Sequence, residues 1–449
     1  MGNFHFLIFY PLSIRIFYPT SRIDSPSGII QGRHAFNDLR LEQRYEQLLN
    51  SLCSSQTHRV SSLCSDWAGQ TAGYRFFNNP RVSLSELVGL CSSLEADHIK
   101  GRDILALIDG SSIGLSCKKK RPSVWQGMGV IDDNDTPGFY IYPCLVLDRL
   151  SGAILGLADI CLFTRPKTSK DRQANQKQKL QRTSLCFQHK ESSVWSLVTS
   201  NAGQVLEGAR SVTYVMDRGG DIYDSIHEIL EDKDRVNNLI IRSKHDRKVI
   251  CSQTGVHLRM SKLIGQISPA GRRKVPLRQL FHLSKTNRKM IKRQAREAVL
   301  EIRYAKIRLA CPRGHSPLGK SLWIVHGKEL PCSIPKGEKG VEWTIITSLP
   351  VECFQQACAV LDFYQQRWWI EQLFRILKKD GIDIERIELQ GAEAIKKYTV
   401  MALKHLRRHY SWLPHETALN VYRLNRSLKN KSAGFSKYSL PKWRGQQKN

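Results

Sequence analysis

Apolar positions in AFNDLRLEQRYEQLLNSL recur at helical spacing, with Leu41, Tyr45, Leu48 and Leu52 on one face. A second helix is expected to start at Ser83, where Glu86 three residues on completes a capping box. Between them YRFFNNP (74–80) is aromatic and basic. Residues 31–100 therefore read as a small helical unit, whereas residues 1–30 show no clear period and form an unassigned arm.

The pattern then changes to short apolar runs typical of strands: ILALID (104–109), FYIYPCLVL (139–147), AILGLADIC (153–161), VTYVMD (212–217) and LIIRS (239–243). DRLSG (148–152) reads as a tight turn joining the second run to the third. Helices fit at 192–208 and 222–231. Three strands, helix, strand, helix, strand is the order of a ribonuclease-H-like α/β domain, and the antiparallel opening hairpin narrows a pattern that alone fits many folds. Residues 271–320 are crowded with Arg and Lys, EAVLEIRYAKIRLAC alternates with period two, and SLWIVH and EWTIITSLP read as further strands. This is a β-rich, basic insertion. After about residue 400 the chain turns basic and rich in Ser and Asn, with few clustered apolar positions.

The stretch YQQRWWIEQLFRILK (364–378) carries one carboxylate among cations and aromatics. Wound as one helix at about 100° per residue, it places Tyr364, Arg367, Glu371 and Lys378 on one face. Trp369, Leu373, Ile376 and Leu377 form an apolar stripe on the other. A surface ion-pair row between Arg367 and Glu371 would contribute only roughly a few tenths of a kcal/mol.

Composition adds a partner. The 449-residue chain holds 69 Lys and Arg against 40 Asp and Glu, a formal charge of +29, and such an excess calls for a polyanion or an anionic surface. No apolar run is long enough for a membrane span, and the opening FHFLIFYPLSIRIF, broken by Pro11, is not read as a secretory signal. The 12 cysteines form no CxxC pair, which argues against a zinc site or disulfide framework and for a reducing, cytoplasmic setting. Nucleic acid is the expected partner.

Asp109 and Asp217 each end an apolar strand, the position at which α/β sheets carry their sites. Glu371 supplies a third carboxylate. Three carboxylates converging from two strands and a helix would suit two Mg²⁺ ions about 4 Å apart, and the cations beside Glu371 would hold the phosphates of the strand being cut.

Tyr364, Arg367, Glu371 and Lys378 meet the pattern Y-x2-R-x3-E-x6-K. With LIDGSSIGL around Asp109 and VMDRGGDIYDSI around Asp217, the chain resembles the IS-four family of bacterial DDE cut-and-paste transposases over residues 32–402. AGYRFFNNPRVS, KESSVW, LIIRSKH and PKGEKGVEWTIITSLPV add to the likeness. The resemblance implies that Asp109, Asp217 and Glu371 bind the catalytic metals, two Mg²⁺ ions with Mn²⁺ as a substitute. It implies that Tyr364, Arg367 and Lys378 grip the transposon end, that Arg242, Lys244 and His245 contact DNA, and that Trp343 stacks on a flipped base; Arg75 is assigned to DNA on the same ground. The expected substrates are double-stranded terminal inverted repeats and target DNA, bound by a homodimer associated with the nucleoid, with no membrane and no ATP. On this reading 1–30 is an arm, 31–100 a helical DNA-binding domain, 101–243 the first part of a ribonuclease-H-like catalytic domain and 244–349 the insertion. Residues 350–402 are the second part of the catalytic domain, with the signature helix, and 403–449 a basic, poorly ordered tail.

Two other classes compete: a transposase remnant that only binds DNA, and a metal-dependent nuclease that does not join. GHSPLGKS (314–321) also matches the phosphate-loop pattern GxxxxGK[ST], but LWIVH after it reads as a strand, so a hairpin turn is expected. The 118–121 run of basic residues fits a solvated loop near DNA as well as a nuclear-targeting signal.

The +29 charge and the cation-rich 271–320 segment predict steeply salt-dependent DNA binding. Affinity for duplex DNA, measured across low to physiological salt, is expected to fall with a slope equivalent to several released counterions, and a flat response would contradict a backbone-tracking surface.

Overall fold

The structure, a computed structural model, describes residues 36, 38–54, 59–64, 66–94, 96–115, 127–132, 135–165, 187, 190–277, 279–283, 289–380 and 382–410. The arm at 1–30, the 118–121 basic run and the tail beyond 410 lie outside the described residues.

Three helices open the described chain: α1 (Leu39–Ser54), α2 (Trp67–Asn78) and α3 (Leu84–Ser92). Tyr45, Leu48, Leu49 and Leu52 bury the predicted face of α1. Ser83 caps α3 as expected: its side chain accepts from the Glu86 amide at 3.1 Å, and Glu86 accepts from the Ser83 amide at 2.8 Å. The aromatic segment between them is itself helical. Asp66 caps α2 by accepting from the Gly69 amide at 2.6 Å, and Phe76 and Phe77 are buried.

One large mixed sheet forms the body. Its first strands are β1 (Asp103–Ile108), β2 (Ser111–Gly114), β3 (Gly129–Val130), β4 (Pro137–Asp148) and β5 (Ile154–Phe163). Helix α4 (Val194–Val205) leads to β6 (Ser211–Met216), and α5 (Tyr223–Glu231) to β7 (Asn237–Arg242). β4 lies antiparallel to both β1 and β5, while β1, β6 and β7 run parallel, giving the path β5-β4-β1-β6-β7. The short β2 and β3, which pair with β4, are not visible in the sequence pattern.

The basic segment mostly extends this sheet and adds one separate two-stranded ribbon. After β8 (Lys248–Cys251), β9 (His257–Arg259), α6 (Met260–Gln266) and β10 (Gly271–Leu277) come a separate β11–β12 ribbon (Leu280–Leu283 and Lys289–Arg293), β13 (Arg296–Leu309), β14 (Leu322–Glu329) and β15 (Glu342–Thr347). β15 pairs antiparallel with β7, β14 with β15 and β13 with β14, so paired backbone runs unbroken from β5 to β13. The GHSPLGKS segment connects the antiparallel strands β13 and β14, as a hairpin connection should. No helix follows it, so it has no helix N-terminus to receive phosphates.

The strands near the centre are apolar on both faces because both faces are covered. Ile104, Ala106, Ile108, Tyr214 and Met216 pack with Val198, Ala202, Ile226 and Ile229 of α4 and α5. Leu105, Leu107, Val215 and Ile240 belong to the opposite core, with residues of the N-terminal helices and of three later helices. These are α7 (Phe354–Gln365), α8 (Trp368–Arg375) and α9 (Ala392–Tyr410). α9 runs through the expected 402/403 boundary to Tyr410, with Leu403 and Leu406 buried.

α9 fastens the N-terminal helices to the body. Tyr398 is fully buried and meets Phe77 edge-on, with ring centroids 5.5 Å apart. Lys397 Nζ donates to the Asn79 carbonyl at 2.9 Å, and Lys404 Nζ donates to the Leu90 carbonyl. Both carbonyls sit at helix C-terminal ends, where exposed acceptors and the helix dipole favour a cation.

Tyr398→Ala should cost about 3–5 kcal/mol, because a large aromatic is removed where the two units meet. Denaturant unfolding followed at the N-terminal unit and at the sheet is expected to show both weakened together; an unchanged midpoint would place the coupling elsewhere.

Candidate active site

The 364–378 segment is not the single helix expected from its wheel. α7 ends at Gln365, Gln366 and Arg367 form a turn, α8 starts at Trp368, and a π-helical turn spans Ile376–Asp380. Trp369 and Leu377 are buried, and Leu373 and Ile376 pack partly buried against the core, so the apolar stripe survives. The polar face does not survive whole. The wider π turn changes the angular step before Lys378. Lys378 Nζ lies 3.7 Å from Glu385 Oε1, and burial holds its ammonium below the usual lysine range.

Tyr364 and Arg367 do meet the two strand-end carboxylates, and Arg367 links Glu371 to them. Ile108 and Met216 are the last register partners of the parallel strands β1 and β6, and Asp109 and Asp217 follow them at once. Adjacent strands lie about 4.8 Å apart, so the register itself brings the two carboxylates side by side. Arg367 Nη1 donates to Asp109 Oδ2 at 2.6 Å, and its Nη2 donates to Glu371 Oε1. Tyr364 donates its phenol proton to Asp217 Oδ1 at 3.0 Å, and the Arg367 guanidinium lies 5.8 Å from the centre of the Tyr364 ring.

The close turns after both aspartates depend on glycine. A Cβ on Gly110 would come within 2.4 Å of the Tyr142 ring; one on Gly219 would stand 2.7 Å from Trp195. Neither approach is tolerable without movement of a packed aromatic.

Electrostatics follow from this crowding. Burial raises the Asp109 carboxyl to about 6; Arg367 opposes the shift, and the neighbouring Asp217 and Glu371 charges add to it. Burial likewise pushes the Tyr364 phenol to about 12. Arg367 is held firmly protonated by Tyr364 and the three carboxylates, against a burial cost that favours losing the proton. Two guanidinium atoms of this site, Arg367 Nε and Arg242 Nε, are buried and have no hydrogen-bond partner among the described residues; the same holds for Arg303 Nε on β13. Unpaired buried donors call for an acceptor.

Among the described residues no group of three or more His, Cys, Asp or Glu side chains is gathered closely enough to hold a metal ion. The donor chemistry nevertheless suits hard divalent cations: the three acids are carboxylates, and Asp109 feels the charges of both Asp217 and Glu371. In this arrangement the Arg367 guanidinium takes the cationic position between Asp109 and Glu371.

Around this cluster, Trp343 is half-buried and meets Tyr364 edge-on with centroids 6.2 Å apart. Arg242 on β7 is near enough to Tyr364 to act on its phenol and donates to the Glu342 carbonyl at 3.4 Å. Lys244 and His245 stand exposed in the next loop. Arg75 is exposed on the last turn of α2, in the N-terminal unit, outside this network of contacts. Asp221 and Arg247, not singled out by sequence reasoning, tie that loop to the turn after Asp217. The available signal was an acidic residue four positions beyond Asp217, in DRGGD.

Residues 32–82 match the family described as Transposase DNA-binding. The match covers α1 and α2 and stops one residue before the cap of α3, and it supports DNA as a partner and a transposase as the class of protein. No helix among the described residues is long and apolar enough to cross a membrane.

The Asp109 carboxyl yields a pH prediction. Its folded value of about 6 lies above the ordinary carboxylate value, so between about pH 4 and 6 the folded state holds more protons than the unfolded state. Its contribution to stability is therefore present below about pH 4 and is lost as pH rises through 6. In metal-free buffer Asp109→Asn should raise stability at pH 7.5 by on the order of 1–3 kcal/mol, with the gain shrinking towards pH 4. Thermal melts at the two pH values check this, and destabilisation at pH 7.5 would show that the charged carboxylate is favoured.

Proposed function

We propose that the chain is a DDE transposase that binds insertion-sequence ends and cuts and joins DNA with two divalent ions at Asp109, Asp217 and Glu371. One observation carries the reading. Two carboxylates at adjacent parallel strand ends and a third on α8 are tied into one network through Arg367 and Tyr364, in a chain whose residues 32–82 match a transposase DNA-binding family. The strand path β5-β4-β1-β6-β7 supports a ribonuclease-H-like catalytic core, and the Y-x2-R-x3-E spacing supports the IS-four family.

The carboxylates would hold the ions, which when bound would activate a water or a 3′-hydroxyl and stabilise the leaving oxygen. The protein's own groups then have distinct tasks. The unpaired Nε atoms of Arg367 and Arg242 would donate to phosphate oxygens of the cut end. Tyr364, held on Asp217, would orient that carboxylate. Trp343 beside Tyr364 would offer its indole face to an extruded base, and Lys244 and His245 would meet the backbone farther along. Lys378 would have to leave Glu385 to reach phosphate. Terminal inverted repeats, a homodimer on DNA and independence from ATP belong to the same proposal.

A second reading has one observation in its favour. Arg367 already neutralises Asp109 and Glu371, an arrangement also suited to a DNA-binding protein without turnover.

Incubating the protein with Mg²⁺ or Mn²⁺ and a supercoiled plasmid carrying its reading frame with native flanks separates the readings. Joined products support the transposase, nicks alone a nuclease, and binding alone the second reading. Glu371→Gln should lower nicking, end release and joining by orders of magnitude while leaving DNA binding intact, because each step is a displacement at the same site. Wild-type turnover that persists in this variant would overturn the assignment.

A further inference from the structure

The Asp221 side chain has no solvent exposure, yet it lies beside a loop crowded with cations. Its Oδ1 accepts from Arg247 Nε at 2.9 Å and from Nη2 at 2.7 Å, and its backbone carbonyl accepts from Nη2 at 2.6 Å. Its Oδ2 accepts from the Lys244 amide at 2.7 Å, the His245 amide at 3.1 Å and Ser243 Oγ at 3.3 Å. The carboxylate thus organises consecutive backbone amides, a hydroxyl and a guanidinium of one loop. It also belongs to the turn that begins at Asp217: the Gly220 amide donates to the Asp217 carbonyl at 2.9 Å, and the Asp221 amide to the Arg218 carbonyl at 3.3 Å. One end of this turn is a member of the carboxylate cluster; the other end holds the loop.

A need for stability alone would be met by the Arg247 pair. Accepting both the Lys244 and His245 amides does something more, because it fixes where these two exposed side chains leave the backbone while contributing neither side chain to the core. The loop is secured at its other ends as well, by the Ser243 amide on the Thr344 carbonyl at 2.8 Å and the Met260 amide on the Arg247 carbonyl at 2.9 Å. Its position relative to Asp217 is set through Asp221.

We infer that Asp221 is a positioning residue: it locks the Lys244–His245 loop to the Asp217 turn, so that backbone phosphates held by the loop lie at a fixed offset from the Asp217 carboxylate. The inference rests on the proposed DNA-processing function and concerns which residue sets the distance between grip and cut. Asp221 touches neither DNA nor the reacting atoms.

The test uses the full chain and a 30-base-pair random-sequence duplex of about that length, with affinity read by fluorescence anisotropy. Lys244→Ala should weaken binding about three- to tenfold. Asp221→Asn keeps an oxygen for the amides but loses the two-pronged charged grip on Arg247, and should weaken binding by a similar factor. The two changes together should be no weaker than either alone, because both remove one contact. Arg247→Gln, on the more exposed partner, should reproduce the effect and serves if Asp221→Asn does not fold. A purely structural role predicts additive losses, or a loss that tracks the fall in melting temperature; either overturns the inference, as does failure of both variants to fold. Wild-type protein that binds no duplex would defeat the proposed function itself. Wild-type binding that Lys244→Ala leaves unchanged would defeat only the role of the loop, and with it this inference.

Discussion

The site depends on a charge balance. Asp109, Asp217 and Glu371 are drawn together by strand register and helix placement, and like charges at such separation in a partly buried setting repel strongly. Arg367 makes the arrangement tenable by donating to two of the three acids, while Tyr364 donates to the third. Burial above all, with the neighbouring charges adding to it, still raises the Asp109 carboxyl. A fold does not assemble such a cluster for stability, since apolar residues of similar volume would serve better. On the proposed reading the tension is the price of a metal-binding and phosphate-binding site, and it identifies where chemistry belongs.

The architecture makes that cluster rigid. Asp109 and Asp217 sit on parallel neighbours of a sheet covered on both faces, so their relative position follows from backbone hydrogen bonds and not from side-chain choice. The basic segment, by adding β15, β14 and β13 beyond β7, carries Trp343 to Tyr364 on the same continuous surface. α9 brings the N-terminal helices against that face through Tyr398, Lys397 and Lys404. The unit that matches a transposase DNA-binding family is therefore joined to the sheet through a packed core, which on the proposed function would relate the DNA-binding surface to the carboxylates.

Local irregularities serve the same end. The break between α7 and α8 leaves Arg367 in a turn from which one guanidinium spans Asp109 and Glu371. The glycines after Asp109 and Asp217 allow close approach to Tyr142 and Trp195, and the turn from Asp217 to Asp221 reaches the loop of Lys244 and His245. Each is a departure from regular structure next to the same few residues, as expected where local rules yield to function.

Much of this was legible in the sequence. Period two and period 3.6 located the main strands, α1, α4 and α5; Ser83 and Glu86 announced the cap of α3; and the spacing Tyr364, Arg367, Glu371 selected side chains that do gather beside Asp109 and Asp217. These features are local, set by backbone geometry within a few residues. What the sequence did not reveal depends on contacts between distant segments. The helical wheel of 364–378 assumed a uniform step, which the turn at Gln366 and the π turn at Ile376–Asp380 break, leaving Lys378 on Glu385. The growth of the basic segment onto the β7 edge, the extension of α9 to Tyr410 and the role of Asp221 are set by partners 20 to 100 and more residues away, roughly speaking, and pairing across such separations leaves no periodic trace. Hydrophobic pattern and spacing determined the elements and nominated the acids; only tertiary packing decided which cation neutralises them, because that choice depends on the distances and burial created when the segments meet.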